Sequence, residues 1–128
     1  MHHPRFTSTR STPDGLTGAL WQALYDYGAE VIVTGHRHHY ERFAPQTPAG
    51  VPDGSFGIRQ FVVGTGGINL VGFGSPMRNS QVRNSSTHGV LKFTLRASSY
   101  DFEFIPIAGQ SFRDKGTGAC HGRPSAGR

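Results

Sequence analysis

At 128 residues the chain is long enough for one domain with a core of its own and too short for two comfortable ones. Only 35% of the residues are hydrophobic, while Gly 18 and Pro 8 together make up about a fifth, a balance that predicts long loops over modest secondary structure. The formal charge of +5 rests on 13 basic residues scattered from Arg5 to Arg128 without a run or interleaved aromatics, which argues against nucleic acid as a partner.

The chain opens with a histidine pair, His2-His3-Pro4. Thr12-Pro13-Asp14 predicts a helix start, with Thr12 as N-cap, Pro13 at the first helical position and Asp14 at the positive end of the dipole. Leu16, Leu20, Ala23, Leu24 and Tyr27 then recur at helical spacing with Trp21 alongside, and Gly28 supplies the stop. One face of this helix is expected to lie on a sheet. Glu30 to Thr34 follows, a short β-branched run of the kind buried on both faces of a parallel or mixed sheet. A helix followed so closely by such a strand is an α/β signature.

Residues 43 to 57 are rich in Pro and Gly and are expected to form a loop. A second strand, Ile58 to Val63, ends in Gly64-Thr65-Gly66-Gly67. From Ile68 to His88 no periodicity is visible, and a stretch of that length is expected to form the rim of a site. Val90 to Arg96 and Tyr100 to Ile105 predict a hairpin through Ala97-Ser98-Ser99. Leu91, Phe93 and Leu95 share one face of its first strand, and Tyr100, Phe102 and Phe104 one face of its second. Beyond Pro106 the chain is mostly Gly, Ser, Arg and Pro, and Gly122 to Arg128 is expected to fray. Cys120 is the single cysteine, so neither an internal disulfide nor a thiolate zinc knuckle is available. No apolar run approaches the length of a membrane span, and no signal-peptide pattern is present, so the sequence predicts no membrane partner and assigns no compartment.

Gly35-His36-Arg37-His38-His39-Tyr40-Glu41 falls just past the carboxyl end of the first strand, where open α/β sheets place their ligands. Neutral imidazole binds zinc, iron and manganese, and a His-x-His pair in a turn can direct its two rings toward two neighbouring ions. Alone, the pair favours ligation no more than it favours a solvated turn. Its surroundings add weight: Gly35 lets the backbone turn sharply, and Tyr40-Glu41-Arg42 can hold the ligands from behind. His39 is expected to be exposed or to stand behind the ligands. Glu41 and Arg42 could contact phosphate, but an adjacent acid and base after a turn more often form a structural pair that fixes the loop. The Gly64 to Gly67 turn, Gly66 included, could let backbone amides approach a phosphate, although strand-ending glycines are commoner than phosphate cradles. His88 and His121 carry no role, and Trp21 with the aromatic stripe of the hairpin is expected in the core.

The block from Thr34 to Phe43 resembles the terminal metal-binding motif of the calcineurin-like metallophosphoesterases, most closely that of purple acid phosphatase-like members, in the pattern Gly-His-x-His-x-Tyr-Glu-Arg. His2-His3-Pro4 resembles their His-x-Pro segment, and Gln60 to Gly67 their following strand and glycine turn. The resemblance covers essentially Met1 to His121. It implies an α/β fold: the C-terminal half of a metallophosphoesterase-type α/β sandwich, with one main helix, about four to five strands and long loops. Residues 1–121 would be a partial catalytic domain and 122–128 a disordered tail.

The resemblance further implies that His2 and His36 ligate one metal and His38 another. His3, at the unspecified position of His-x-Pro, would be a pocket wall or a proton donor to the leaving group. The implied cofactors are two divalent or trivalent ions, Fe, Zn or Mn, acting on a phosphate ester through a metal-activated hydroxide. Related full-length proteins are often exported. The family draws its remaining ligands from Asp-x-His, Gly-Asp and Gly-Asn-His segments that precede His-x-Pro, and none of the three occurs here. The chain is therefore expected to be a C-terminal segment that holds at most one metal weakly and has little activity alone. Two other readings stand beside it. His2, His36 and His38 could surround a single zinc with water as fourth ligand. Alternatively, an exposed sheet edge could make the chain an interaction module that pairs with a missing N-terminal half or with itself.

Overall fold

Gly28 takes φ +77° and ends the helix that the apolar spacing predicts. The computed structural model describes residues 1–9 and 17–124, and in it helix α1 runs Gly18–Asp26. The predicted start at Thr12-Pro13-Asp14, and Leu16 with it, lies outside the described residues. The buried face of α1 differs from the one expected. Trp21 is fully buried and packs with Leu24 and Tyr25, while Leu20 and Tyr27 are exposed. Two apolar stripes, rotated by one residue, both satisfy the three-and-four spacing, and the stripe that carries the large indole ring is the one that removes more apolar area from water.

The described residues form a mixed α/β arrangement of one helix and seven strands, which is richer in sheet than the four to five strands expected. Strands β1 (Val31–Thr34), β2 (Tyr40–Phe43), β3 (Arg59–Val63) and β4 (Ser80–Asn84) form one sheet in the order β1-β3-β2-β4. β1 runs parallel to β3 with Ile32 opposite Gln60, and the other pairings are antiparallel. Strands β5 (Gly89–Leu95), β6 (Ser99–Pro106) and β7 (Lys115–Ala119) form an antiparallel second sheet in that order.

The pleat of the first sheet separates two cores. On one side Ile32, Phe43 and Val62 pack with Ile58 against Trp21 of α1 and Phe6 of the N-terminal segment. On the other, Tyr40 and Phe61 meet Tyr100, Phe102 and Phe104 of β6. Phe61 sits edge-on to both Phe93 and Phe102, with ring centroids 5.5 Å and 4.9 Å apart. The expected hairpin stripe is thus in place on β6. On β5, Leu91 and Phe93 are half-buried while Leu95 is 78% exposed. β1 also departs from expectation. It is an edge strand with Ile32 buried and Val33 41% exposed, so only one of its faces is fully covered.

β2, β4 and β7 were not predicted as strands. Ser80-Gln81-Val82-Arg83-Asn84 and Lys115-Gly116-Thr117-Gly118-Ala119 carry almost no apolar alternation, since both lie at sheet edges where backbone pairing with a formed neighbour suffices. The stretch from Ile68 to His88 expected as a rim is therefore interrupted by β4, which leaves residues 68 to 79 before it and 85 to 88 after it.

Candidate metal centre

Backbone bonds bring the N-terminal histidines to the carboxyl end of β1. The Met1 ammonium donates to the carbonyl of Val33 at 3.2 Å, and the N–H of Gly35 donates to the carbonyl of His2 at 2.9 Å. Two buried side chains of the first sheet hold the segment further along. Oε1 of Gln60 accepts the backbone N–H groups of Arg5 and Phe6 at 3.2 Å each, and its amide donates to the Phe6 carbonyl. Glu41 accepts the N–H of Ser8 at 2.8 Å together with the Ser8 hydroxyl. Residues 1 to 8 are in this way strapped across a sheet that they do not join as a strand.

The turn after β1 is tight. The N–H of Arg37 bonds the carbonyl of Gly35 at 2.7 Å, and that of His39 bonds the carbonyl of Arg37 at 2.8 Å. His36 takes φ +62°, a left-handed conformation that costs a β-carbon-bearing residue on the order of 1 kcal/mol or more and is often found at functional sites. Gly64 lies against this turn: a Cβ there would stand 2.0 Å from the Arg37 carbonyl oxygen. The two loops touch backbone to backbone, and only glycine permits it.

Three imidazoles converge there. One ring nitrogen from each of His2, His3 and His36 lies within 4.8 Å of the others, and Nε2 of His2 is 3.3 Å from Nδ1 of His36. The ring centroids are 5.1 Å apart for His2 with His3, 5.1 Å for His2 with His36 and 3.9 Å for His3 with His36. Two nitrogens bound at about 2.1 Å to one tetrahedral ion stand roughly 3.4 Å apart, so the His2–His36 separation fits a shared ion. Among the described residues no carboxylate belongs to the group. His2 is exposed and the other two are half-buried, which leaves an outer side open to water.

His38, expected to serve a second ion, is not part of that set. It lines a shallow cavity of about 420 Å³ together with His2, His36, Gly66 and Gly67, and its carbonyl accepts the N–H of Val71 at 2.8 Å. Gly66 has nothing within 4 Å of a built Cβ. On the other side of the turn His36, Arg37, His38 and His39 line a larger cavity of about 590 Å³, closed by Val71, Gly72 and Phe73. Phe73 comes from the loop expected as a rim, but no motif singled it out, and hydrophobic residues in glycine-rich loops give no periodic signal.

Of the two places expected for His39, exposed or behind the ligands, burial rules out the first. Its side chain is fully buried, with Nε2 3.6 Å from Glu41 Oε2 and 3.4 Å from the Thr7 hydroxyl, and its ring lies against Phe73 at 4.3 Å. The N-terminal strap covers it, which local sequence could not show. Glu41 and Arg42 do not form the structural pair expected of them, because successive strand residues point to opposite faces. Glu41 faces the strap and also accepts the Ser80 hydroxyl at 2.6 Å. Burial raises its pKa, but hydrogen bonds from His39, Ser8 and Ser80 outweigh this and hold it below the usual range. Arg42 faces the second sheet, gripping Asp114 through Nε at 2.8 Å and Nη2 at 3.2 Å. The Tyr40 hydroxyl donates to the same carboxylate at 2.8 Å, and burial, reinforced by Asp114, pushes its pKa well up. All three side chains therefore brace the turn and none reaches the imidazole cluster.

His88 bonds the Ile68 carbonyl at 3.0 Å, and the backbone N–H of His121 bonds Glu30 at 3.2 Å. Among the described residues no helix is long and apolar enough to cross a membrane. No family model and no curated protein matches this sequence.

Proposed function

We propose that this chain is the C-terminal part of a metal-dependent phosphoesterase, supplying imidazole ligands to a site that hydrolyses phosphate esters. The reading is supported by one observation above the others: the Gly-His-x-His-x-Tyr-Glu-Arg block begins at the carboxyl end of β1 and His36 within it stands 3.3 Å from His2 of the His-x-Pro segment, across 34 residues of sequence. Metal ions at such a site supply positive charge to the phosphoryl oxygens and acidify a bound water. The chain's own residues then have limited parts. His2 and His36 hold, His38 lines the same cavity and offers the ligand to a second ion, and the Gly66-Gly67 backbone leaves room for a phosphoryl group beside them. His3 belongs to the same group of imidazoles, with its ring against that of His36.

Among the described residues the imidazole group contains no acid, and in this reading the bridging carboxylate that a two-ion site needs comes from another segment. The isolated chain should accordingly turn over an aryl phosphate barely above background. Joined to a polypeptide carrying Asp-x-His, Gly-Asp and Gly-Asn-His segments encoded upstream in the same reading frame, it should become an active enzyme that His36→Ala abolishes. A locus with none of those segments, or full turnover by the isolated chain, would refute this reading.

A further inference from the structure

We infer that the phosphate ester taken at this site carries an apolar organic group, aryl or alkyl, which lies over Gly66 and Gly67 between the imidazoles and the side chains of Ile68, Val90 and Ile107. The inference rests on the phosphoesterase reading and adds to it the class of substrate.

Two cavities meet at the glycine turn. The cavity of about 420 Å³ beside His2, His36 and His38 is also lined by Ile68, and a second of about 270 Å³ is lined by Thr65, His88, Val90 and Ile107. Gly66 and Gly67 line both. A Cβ built on either glycine meets nothing within 4 Å, so the space over the turn is open. Around it Ile68, Val90 and Ile107 are 57%, 59% and 52% exposed. Exposed apolar side chains are ordinary when scattered, but these three come from separate parts of the chain to one turn. Backbone bonds hold them there. His88 Nε2 bonds the Ile68 carbonyl at 3.0 Å, and the Ile107 N–H donates to the His88 carbonyl at 3.0 Å. The Gly89 N–H donates to the Thr65 carbonyl at 3.1 Å, and the Thr65 hydroxyl returns a bond to the Gly89 carbonyl at 2.8 Å. A surface fixed in advance loses little freedom when a ligand covers it.

Charge decides the class. Among the described residues no Lys, Arg, Asp or Glu lines either cavity, and the sequence from Gly64 to Met77 contains none. The larger cavity on the other side of the His36–His39 turn differs, since Arg37 lines it and the two glycines do not. An organic group bearing further phosphates or a carboxylate would lose water over the glycine turn and gain no cation in return. An aryl or alkyl group would instead remove its own surface and that of three side chains from water.

Amide spectra of the isotope-labelled chain with one equivalent of zinc(II), titrated with naphthyl phosphate and separately with glycerol phosphate, test the inference. Naphthyl phosphate should bind at least about tenfold more tightly and should move the amides of Gly66, Gly67, Val90 and Ile107. Val90→Ser combined with Ile107→Ser should reduce that preference to below about threefold. Equal affinity for the two esters, no binding of naphthyl phosphate, or shifts confined to another surface such as the groove beside Val33 and Leu95 would each overturn it. Movement of the Val90 and Ile107 amides on diluting the chain alone would overturn it as well, because contact between copies would then cover them. The phosphoesterase reading is tested by the upstream reading frame and by turnover of the joined polypeptide. Neither enters these titrations, so the two can fail separately.

Discussion

Ser8 bonds both oxygens of the buried Glu41 carboxylate, one through its backbone N–H at 2.8 Å and the other through its hydroxyl. Ser8 also accepts the Met77 N–H on its hydroxyl at 2.8 Å, so the same pair ties the N-terminal strap to the loop before β4. The histidines of the strap reach His36 because this anchor and Gln60 hold the segment down.

Glu41→Ala should therefore destabilise the chain by about 3 kcal/mol, since it leaves Ser8, Ser80 and His39 facing a buried void without an acceptor. Urea unfolding gives the size, and hydrogen exchange at the Ser8 amide shows whether the strap is released. Cobalt affinity should drop as well, although Glu41 touches no ligand. An unchanged unfolding midpoint would mean that the carboxylate is not the anchor.

Acid should release the same anchor. Glu41 has a folded pKa below its ordinary 4.5, so its contribution is fully present above that value and is lost as pH falls through the folded one. Between neutrality and about pH 3 the wild-type chain should lose more stability than Glu41→Gln, which has no proton to take up there. Parallel losses in both proteins would assign the acid sensitivity to other carboxylates.

Arg42→Lys should cost about 1–2 kcal/mol while leaving cobalt binding intact. An ammonium cannot reproduce the two-pronged grip on Asp114 together with the bond to Gln81, and Arg42 points away from the imidazoles toward the ring of Phe102, 5.3 Å from its guanidinium carbon. Thermal unfolding and a cobalt(II) titration measure the two effects independently. A weakened titration would place Arg42 in the site after all.

Gly64 and Gly66 should respond oppositely to alanine. At Gly64 the added Cβ collides with the Arg37 carbonyl, and a loss of about 3 kcal/mol with a displaced His36–His38 turn is expected. At Gly66 a Cβ meets nothing, and stability should stay within about 0.5 kcal/mol of wild type. A backbone cradle for phosphate would appear instead as a loss of phosphate affinity in Gly66→Ala once metal is bound. Equal stability of the two variants would contradict the close approach of the loops.

The patterned elements were legible in the sequence. Ile32 and Val62 in short β-branched runs, and Phe102 and Phe104 alternating on a hairpin, each carry a period that burial itself imposes. Gly28 announced the helix end for the same local reason, a φ that other residues avoid. The histidine motif and its place after β1 were equally plain. What the sequence could not show depends on segments far apart in the chain. Which stripe of α1 faces inward, that polar β4 and β7 pair at sheet edges, and that His39 is buried under residues 6 to 8 were decided by neighbours arriving from elsewhere. The membership of the imidazole cluster belongs to this second kind. His3 and His38 look alike in sequence, but the strap fastened by Gln60 and Glu41 brings one of them beside His2 and His36 and leaves the other on the cavity wall, because long-range hydrogen bonds to a sheet have no local signature.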